Sequence, residues 1–225
     1  MTGGVTAVGV DVGGTHLRAA VVGPRGAEGD VHRGRSRTTD AATLVADVAA
    51  AADAVDPTGR LPLGVGMAGL ITRDGRFVYG PNVGVTDLPL AAALAERTGR
   101  RVAVVNDATA AAVAEHRLGA GVGSDDLVVL TLGTGVGGGI VVGGRPLMGA
   151  HGFAAELGHL VVADGGRPAT SGIAGTLEGY ASGEAVARAA AEAAAGGASG
   201  ARAVGAEGVV AAATAGEAWA AAVLA

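Results

Sequence analysis

The chain has 225 residues, enough for one large or two small domains, and carries a net charge of −5 with no run of basic residues, which argues against nucleic-acid binding. Hydrophobic residues make up 49% but aromatics only 2%, so the core must be built from Val, Leu and Ala, and the apolar runs are too short for a membrane span. No cysteine is present, which excludes disulfides and thiolate zinc sites, and no secretory leader opens the sequence, so a cytoplasmic location is expected.

Val-Thr-Ala-Val-Gly-Val over 5–10 reads as a buried strand, and 17–22 as its hairpin partner across a Gly13-Gly14 turn. Thr39 or Asp40 can cap a helix over 41–55, with Leu44, Val45, Val48, Ala52 and Val55 on one face. Strands follow at 61–67 and 77–79. Asp87 is expected to cap a helix carrying Pro89 in its first turn and ending at Gly99. A strand at 102–105 leads into a helix at 108–118, and strands at 127–132 and 140–142 bracket a second glycine run. Another strand is expected at 160–163, then a helix from 183 to about 195 capped by Ser182. The Ala-rich remainder suggests helices near 206–214 and 216–224, with Trp219 as the large anchor. Hairpins alternating with helix and strand describe an α/β protein with mixed sheets. The strand-and-loop pattern restarts near 127, so domains at 1–107 and 108–225 are expected.

Five features can carry chemistry. Asp11-Val12-Gly13-Gly14-Thr15 and Gly133-Thr134-Gly135, with four further residues of which three are glycine, each follow an apolar run. Glycines let backbone N–H groups close around phosphate oxygens. Neither is a P-loop or a dinucleotide fingerprint. A lone Asp before Gly-Gly-Thr also suits a plain hairpin turn. His16 reads as solvated. Asn106-Asp107 stands between the two loops at a strand end; one side chain can cap the following helix, and the other must point elsewhere. Glu156, His159 and Glu178 form a polar set suited to sugar hydroxyls, or to a solvated surface. Asn82, after Gly80-Pro81, reads as a turn residue or a further hydroxyl ligand.

In this order, Asp11–Thr15, Gly80-Pro81-Asn82, Asn106-Asp107-Ala108, Gly133–Gly139, Glu156–His159 and Leu177–Gly183 resemble the ROK family of sugar kinases and sugar-responsive repressors. The resemblance implies the actin-like ATPase (ribonuclease H-like) two-domain fold. It implies ATP-dependent phosphorylation of a hexose, glucose first, at its primary hydroxyl. Asp107 would be the catalytic base. Asp11, Gly13, Gly14, Thr15, Gly133, Thr134 and Gly135 would hold ATP phosphates with Mg²⁺. Asn82, Asn106, Glu156, His159 and Glu178 would bind the sugar, and a homodimer is expected. An N-acetylhexosamine kinase and a non-catalytic sugar- or nucleotide-binding remnant are the alternatives. A repressor is disfavoured, since a first strand near Val5 leaves no room for a preceding helix-turn-helix.

Two departures from the family pattern stand out. The zinc-loop frame Cys-x-Cys-Gly-x-x-Gly-Cys-Leu-Glu reads here Ala169-Thr170-Ser171-Gly172-Ile173-Ala174-Gly175-Thr176-Leu177-Glu178, without its three thiolates. The adenosine-seating elements of relatives would fall after Ala225, so the second domain is expected to be short. Without the thiolates, added zinc should leave the melting temperature unchanged; a clear rise would refute the zinc-free assignment.

Overall fold

The computed structural model describes residues 6–81, 83–169 and 171–225. In chain order the first elements are β1 (Ala7–Val12), β2 (His16–Gly23), β3 (Gly26–Arg35), α1 (Ala41–Val55), β4 (Leu63–Met67), β5 (Leu70–Ile71), β6 (Phe77–Tyr79), α2 (Leu90–Thr98), β7 (Val102–Asn106) and α3 (Asp107–Leu118). They are followed by β8 (Leu127–Leu132), β9 (Val136–Val142), β10 (Arg145–Pro146), a 3₁₀ turn (Leu157–His159), α4 (Leu177–Ala181), α5 (Gly183–Ala195), α6 (Ala206–Thr214) and α7 (Ala218–Leu224).

The chain forms two compact units. One runs through Val129 and takes in Gly139–Ala155; the other comprises Leu130–Gly138 and Glu156–Ala225. β8 and β9 therefore each give residues to both. Helix α3, which a break after Asp107 would assign to the second domain, packs on β4 and β7 of the first unit.

The first unit is built on a five-stranded mixed sheet of order β3-β2-β1-β4-β7. β1 pairs antiparallel with β2 and parallel with β4, which pairs parallel with β7. Period-two burial explains the central strand: Val8, Val10 and Val12 are buried and meet Leu44 and Val48 of α1 in one core cluster. Phe77 is that core's only aromatic side chain, and Leu63, Val65, Met67, Leu90 and Leu94 fill the rest. Asp40 caps α1 by accepting the Thr43 N–H at 2.9 Å. In the second unit Ala190, Val209, Ala212, Trp219 and Ala220 form a separate small core.

Several expectations need correction. β3 was not anticipated, because Gly-Ala-Glu-Gly-Asp-Val-His-Arg-Gly-Arg has no apolar alternation; it is an edge strand held by its ladder to β2. Asp87 does not cap α2. It adopts φ +51° and pairs with Arg76 at 3.0 Å, while Pro89 precedes a helix without a side-chain cap. β9 begins at Val136 rather than Ile140, so the glycines after the turn are ladder residues. Residues 160–163 form only an isolated bridge, Val161 to Thr176, and α4 was not foreseen. Among the described residues no helix is long and apolar enough to cross a membrane.

A buried ion cluster ties the first unit together. Arg100 and Asp56 are each 5% exposed. The Arg100 guanidinium donates to Asp56 Oδ2 at 2.6 Å, to Asp53 Oδ1 at 2.9 Å, and to the Leu61 and Asp56 carbonyls. The Asp56 carboxyl lies well below the usual carboxylate range, foremost because the Thr58 hydroxyl donates to it; desolvation opposes this, and the Leu61 N–H and Arg100 add to it. The cluster pins the end of α1 to the segments entering β4 and β7. Arg100→Leu should leave a buried carboxylate uncompensated and lower unfolding stability by about 3 kcal/mol in urea titration; an unchanged midpoint would contradict this role.

Candidate functional site

In the first unit, chemistry gathers at the C-terminal ends of parallel strands. Asp11 is the penultimate residue of β1, Asn106 ends β7, and Asp107 opens α3. β4 lies between β1 and β7, with Gly66 in register with both Asp11 and Val105. Open α/β sheets bind ligands outside the carboxyl ends of such strands.

The turn between β1 and β2 holds its carbonyls and presents its amides. Gly13 N–H donates to His16 O at 2.9 Å, Ser36 N–H to Thr15 O at 3.0 Å, and the Thr38 hydroxyl to Gly14 O at 3.3 Å. Among the described residues the Gly14 and Thr15 N–H groups meet no protein acceptor. Two successive amides of this kind, beside the Thr15 hydroxyl, offer the donor arrangement of a backbone nest, which can hold an anion. Thr15 Oγ1 lies 2.8 Å from His16 Nδ1, so His16 is engaged rather than purely solvated. Asp11 faces Arg18 at 3.8 Å, with both side chains largely exposed, a pair that adds little stability.

Asn106, not Asp107, caps α3. Its Oδ1 accepts the Thr109 N–H at 3.0 Å, and its Nδ2 donates to Gly69 O at 3.2 Å. Asp107 is left half-buried at the first helical position, with Oδ1 accepting the Ala108 N–H at 2.9 Å. Burial pushes the Asp107 carboxyl up from its ordinary value; the Ala108 N–H opposes the shift and the nearby Asp11 charge adds to it. Gly139 of β9 lets that strand approach α3: a Cβ there would stand 2.6 Å from Ala108 O.

The second unit repeats the amide economy. In the turn between β8 and β9, Gly133 N–H donates to Gly135 O at 3.0 Å. Gly183 and Glu184 N–H, at the start of α5, donate to Gly133 O at 2.8 Å and Thr134 O at 3.4 Å. The Thr134 and Gly135 N–H groups meet no acceptor among the described residues. Ser182 fixes α5 by accepting the Ala185 N–H at 3.1 Å. Glu178 lies against this turn, its Oε2 accepting the Val136 N–H at 3.1 Å, and a Cβ on Gly135 would come 2.5 Å from that oxygen. Gly158 packs so closely on Val136 that a Cβ would reach 2.0 Å from its carbonyl, which brings the 3₁₀ turn to the same place. Glu156 precedes that turn and His159 ends it, Oε2 to Nε2 4.0 Å, with both side chains about 40% exposed. Ala155 precedes them at φ +69°, a left-handed conformation costly for a residue with a Cβ.

Glu178 and the 3₁₀ turn that ends in His159 thus lie against the second glycine turn. Asp11, Gly13, Gly14, Thr15, Asn106 and Asp107 share one sheet edge of the first unit. Asn82 lies outside the described residues. Sequence reasoning missed the bracing groups Ser36, Thr38 and the α5 N-terminus, since a side chain or amide that ties a carbonyl leaves no periodic signal. The zinc frame does not fit a metal. Ala169 and Thr176 are buried, and the Thr176 hydroxyl has no hydrogen-bond partner. The loop closes instead through Ala169 N–H to Ile173 O and Gly175 N–H to Arg167 O. Among the described residues no group of three metal-ligating side chains occurs.

The ROK family profile matches residues 7–224, and the chain belongs to the ROK family. It is 38% identical over 182 residues to the glucokinase of Streptomyces coelicolor, covering 80% of this chain and 57% of that protein. It is 36% identical over 192 residues to the N-acetylmannosamine kinase of Escherichia fergusonii, covering 82% and 64%. The crystal structure of a ROK family glucokinase from Streptomyces griseus, in complex with glucose and AMPPNP, superposes with a TM-score of 0.80 at 35% identity, covering 97% of this chain and 74% of that one. The fold is that of the actin-like ATPases. The chain spans less than two thirds of the length of these two curated relatives.

If Asp11 contributes to the raised titration of Asp107, Asp11→Asn should lower the Asp107 midpoint in carboxyl ¹³C NMR. An unchanged or higher midpoint would show that burial alone sets it.

Proposed function

We propose that this chain is an ATP-dependent hexose kinase, with glucose as the first substrate and its primary hydroxyl as the acceptor. The observation that carries the reading is Asp107: a half-buried carboxyl with its pKa raised by burial, freed from capping α3 because Asn106 takes that part, and with Oδ2 outside its one backbone hydrogen bond. Such a group suits a general base, whose pKa should sit nearer the operating pH than an exposed carboxylate's.

In the proposed reaction Asp107 accepts the proton of the sugar hydroxyl as that oxygen forms its bond to the γ-phosphorus and the bond to the β-phosphate oxygen breaks. The Gly14 and Thr15 amides, and those of Thr134 and Gly135, hold phosphate oxygens. Their free N–H groups fit that task. Mg²⁺, held chiefly by the phosphates with Asp11 as the carboxylate at the first turn, would offset their charge. Glu156 and His159 bind sugar hydroxyls; Glu178 does so while bracing Val136. Asn106 orders Asp107 through its cap and meets the sugar with its remaining valences. Asn82 completes the proposed sugar set, and a homodimer in the cytoplasm is the proposed state.

Glucose is supported by the glucokinase relative and by the glucose-bound structure. The N-acetylmannosamine kinase relative supports a second reading, an N-acetylhexosamine kinase at the same site. A coupled assay with ATP and a panel of hexoses and N-acetylhexosamines tests both. Turnover should be seen with one class, and Asp107→Ala should lower kcat by roughly 10²–10⁴-fold. No turnover by either protein would leave a binding remnant.

A further inference from the structure

The backbone on either side of Ala155 is pinned. Upstream, Gly152 is buried against the end of β5: a Cβ there would stand 2.4 Å from Ile71 O and 2.9 Å from the Arg73 backbone nitrogen. Ala154 N–H donates to Met148 O at 3.3 Å, and a Cβ on Gly149 would stand 3.2 Å from the Ala154 Cβ. Downstream, Gly158 lies against Val136 O, and His159 N–H donates to Glu156 O at 3.1 Å. The first unit's run ends at Ala155, and the second unit's resumes at Glu156. Each flank is therefore held by contacts within its own unit.

Ala155 makes the bend between them, at φ +69°. Asp87, the other non-glycine residue with positive φ among the described ones, offsets the cost with its own side chain, which accepts from Arg76 at 3.0 Å. Ala155 has only a methyl group, and a Cβ in the left-handed region crowds the carbonyl that follows. Its surroundings alone hold it there. The next residue is Glu156, whose Oε2 lies 4.0 Å from His159 Nε2. A change of φ and ψ at Ala155 would rotate the peptide entering Glu156 and redirect its Cα–Cβ bond, while Gly158 keeps the turn of His159 on Val136.

We propose that Ala155 is the positioning residue of Glu156: its left-handed backbone aims that carboxylate alongside His159. The consequence for sugar rests on the reading of Glu156 and His159 as sugar ligands. Affinity then follows how well the residue at 155 tolerates a left-handed backbone, not its size or polarity. Ala155 acts through Glu156 and touches no reacting atom.

Three variants separate backbone from volume. Ala155→Gly and Ala155→Asn keep the left-handed region open, whereas Ala155→Val, close to A155N in size, closes it through its β-branch. Circular dichroism verifies each fold. Glu156→Gln is then added to wild type and to each variant, and the shift it causes in the His159 ring signals is read by NMR. That response should be the same in wild type, A155G and A155N, and lost in A155V. Glucose and N-acetylmannosamine are titrated into the same proteins by calorimetry. A155G and A155N should bind within about twofold of wild type and A155V roughly tenfold more weakly or worse, the worth of a hydrogen bond to a charged group. A155G should also melt about 2 °C higher. A His159 response unmoved in A155V, a response lost in A155N, or a lower melting temperature in A155G would overturn the proposal; the last two decide it even where A155V does not fold. If neither sugar binds while the NMR pattern holds, the aim of Glu156 stands and its reading as a sugar ligand falls.

Discussion

The hydrogen bond from Thr109 N–H to the Asn106 side chain governs the first unit's chemistry. A helix start leaves amide donors that need acceptors, and Asn106 supplies one from the last residue of β7. Because the cap is taken, Asp107 enters the helix half-buried, its Oδ1 held by the Ala108 N–H alone. The cap bond also fixes where α3 begins. Gly139 then lets β9 press against that start, at a separation no larger residue would allow. A carboxyl held this way is positioned by backbone geometry and packing more than by the flexibility of its own side chain.

The two glycine turns solve one problem twice. A turn that is to hold an anion must commit its carbonyls elsewhere, or their negative ends would repel it. In the first turn Ser36 N–H, the Thr38 hydroxyl and Gly13 N–H do this. In the second the first amides of α5 and the Gly133 N–H take that part. The bracing comes from different elements and chemistry, yet both turns keep two successive N–H groups uncommitted. Glycine serves close approach here as much as conformational freedom: Gly135 and Gly158 leave room for Glu178 and for the Val136 carbonyl.

Stability and chemistry lie in different places. The Arg100 cluster joins the loop ends remote from the strand tips that carry Asp11 and Asp107, and the aliphatic core lies between. Ala155, left-handed just before Glu156, is one of two non-glycine residues with positive φ among the described ones, and it stands beside the sugar-binding candidates. Strain of this kind persists where surrounding structure over-determines the backbone.

Much could be read directly from the residues. Short apolar runs marked β1, β2 and β7, and helix signals with an Asp or Ser cap marked α1 and α5, these two at the observed boundaries. The six ordered motifs carried the family. These signals are local, written within one element or one turn. Long-range pairing decided the rest. β3 has no periodic apolar pattern and exists because β2 offers it a ladder. The cap fell to Asn106 rather than Asp107 because β7 ends where its side chain can reach Thr109. His16 stands opposite Arg35 and Arg18 opposite Arg33, residues far apart in the sequence, since only strand register determines which of them share a face.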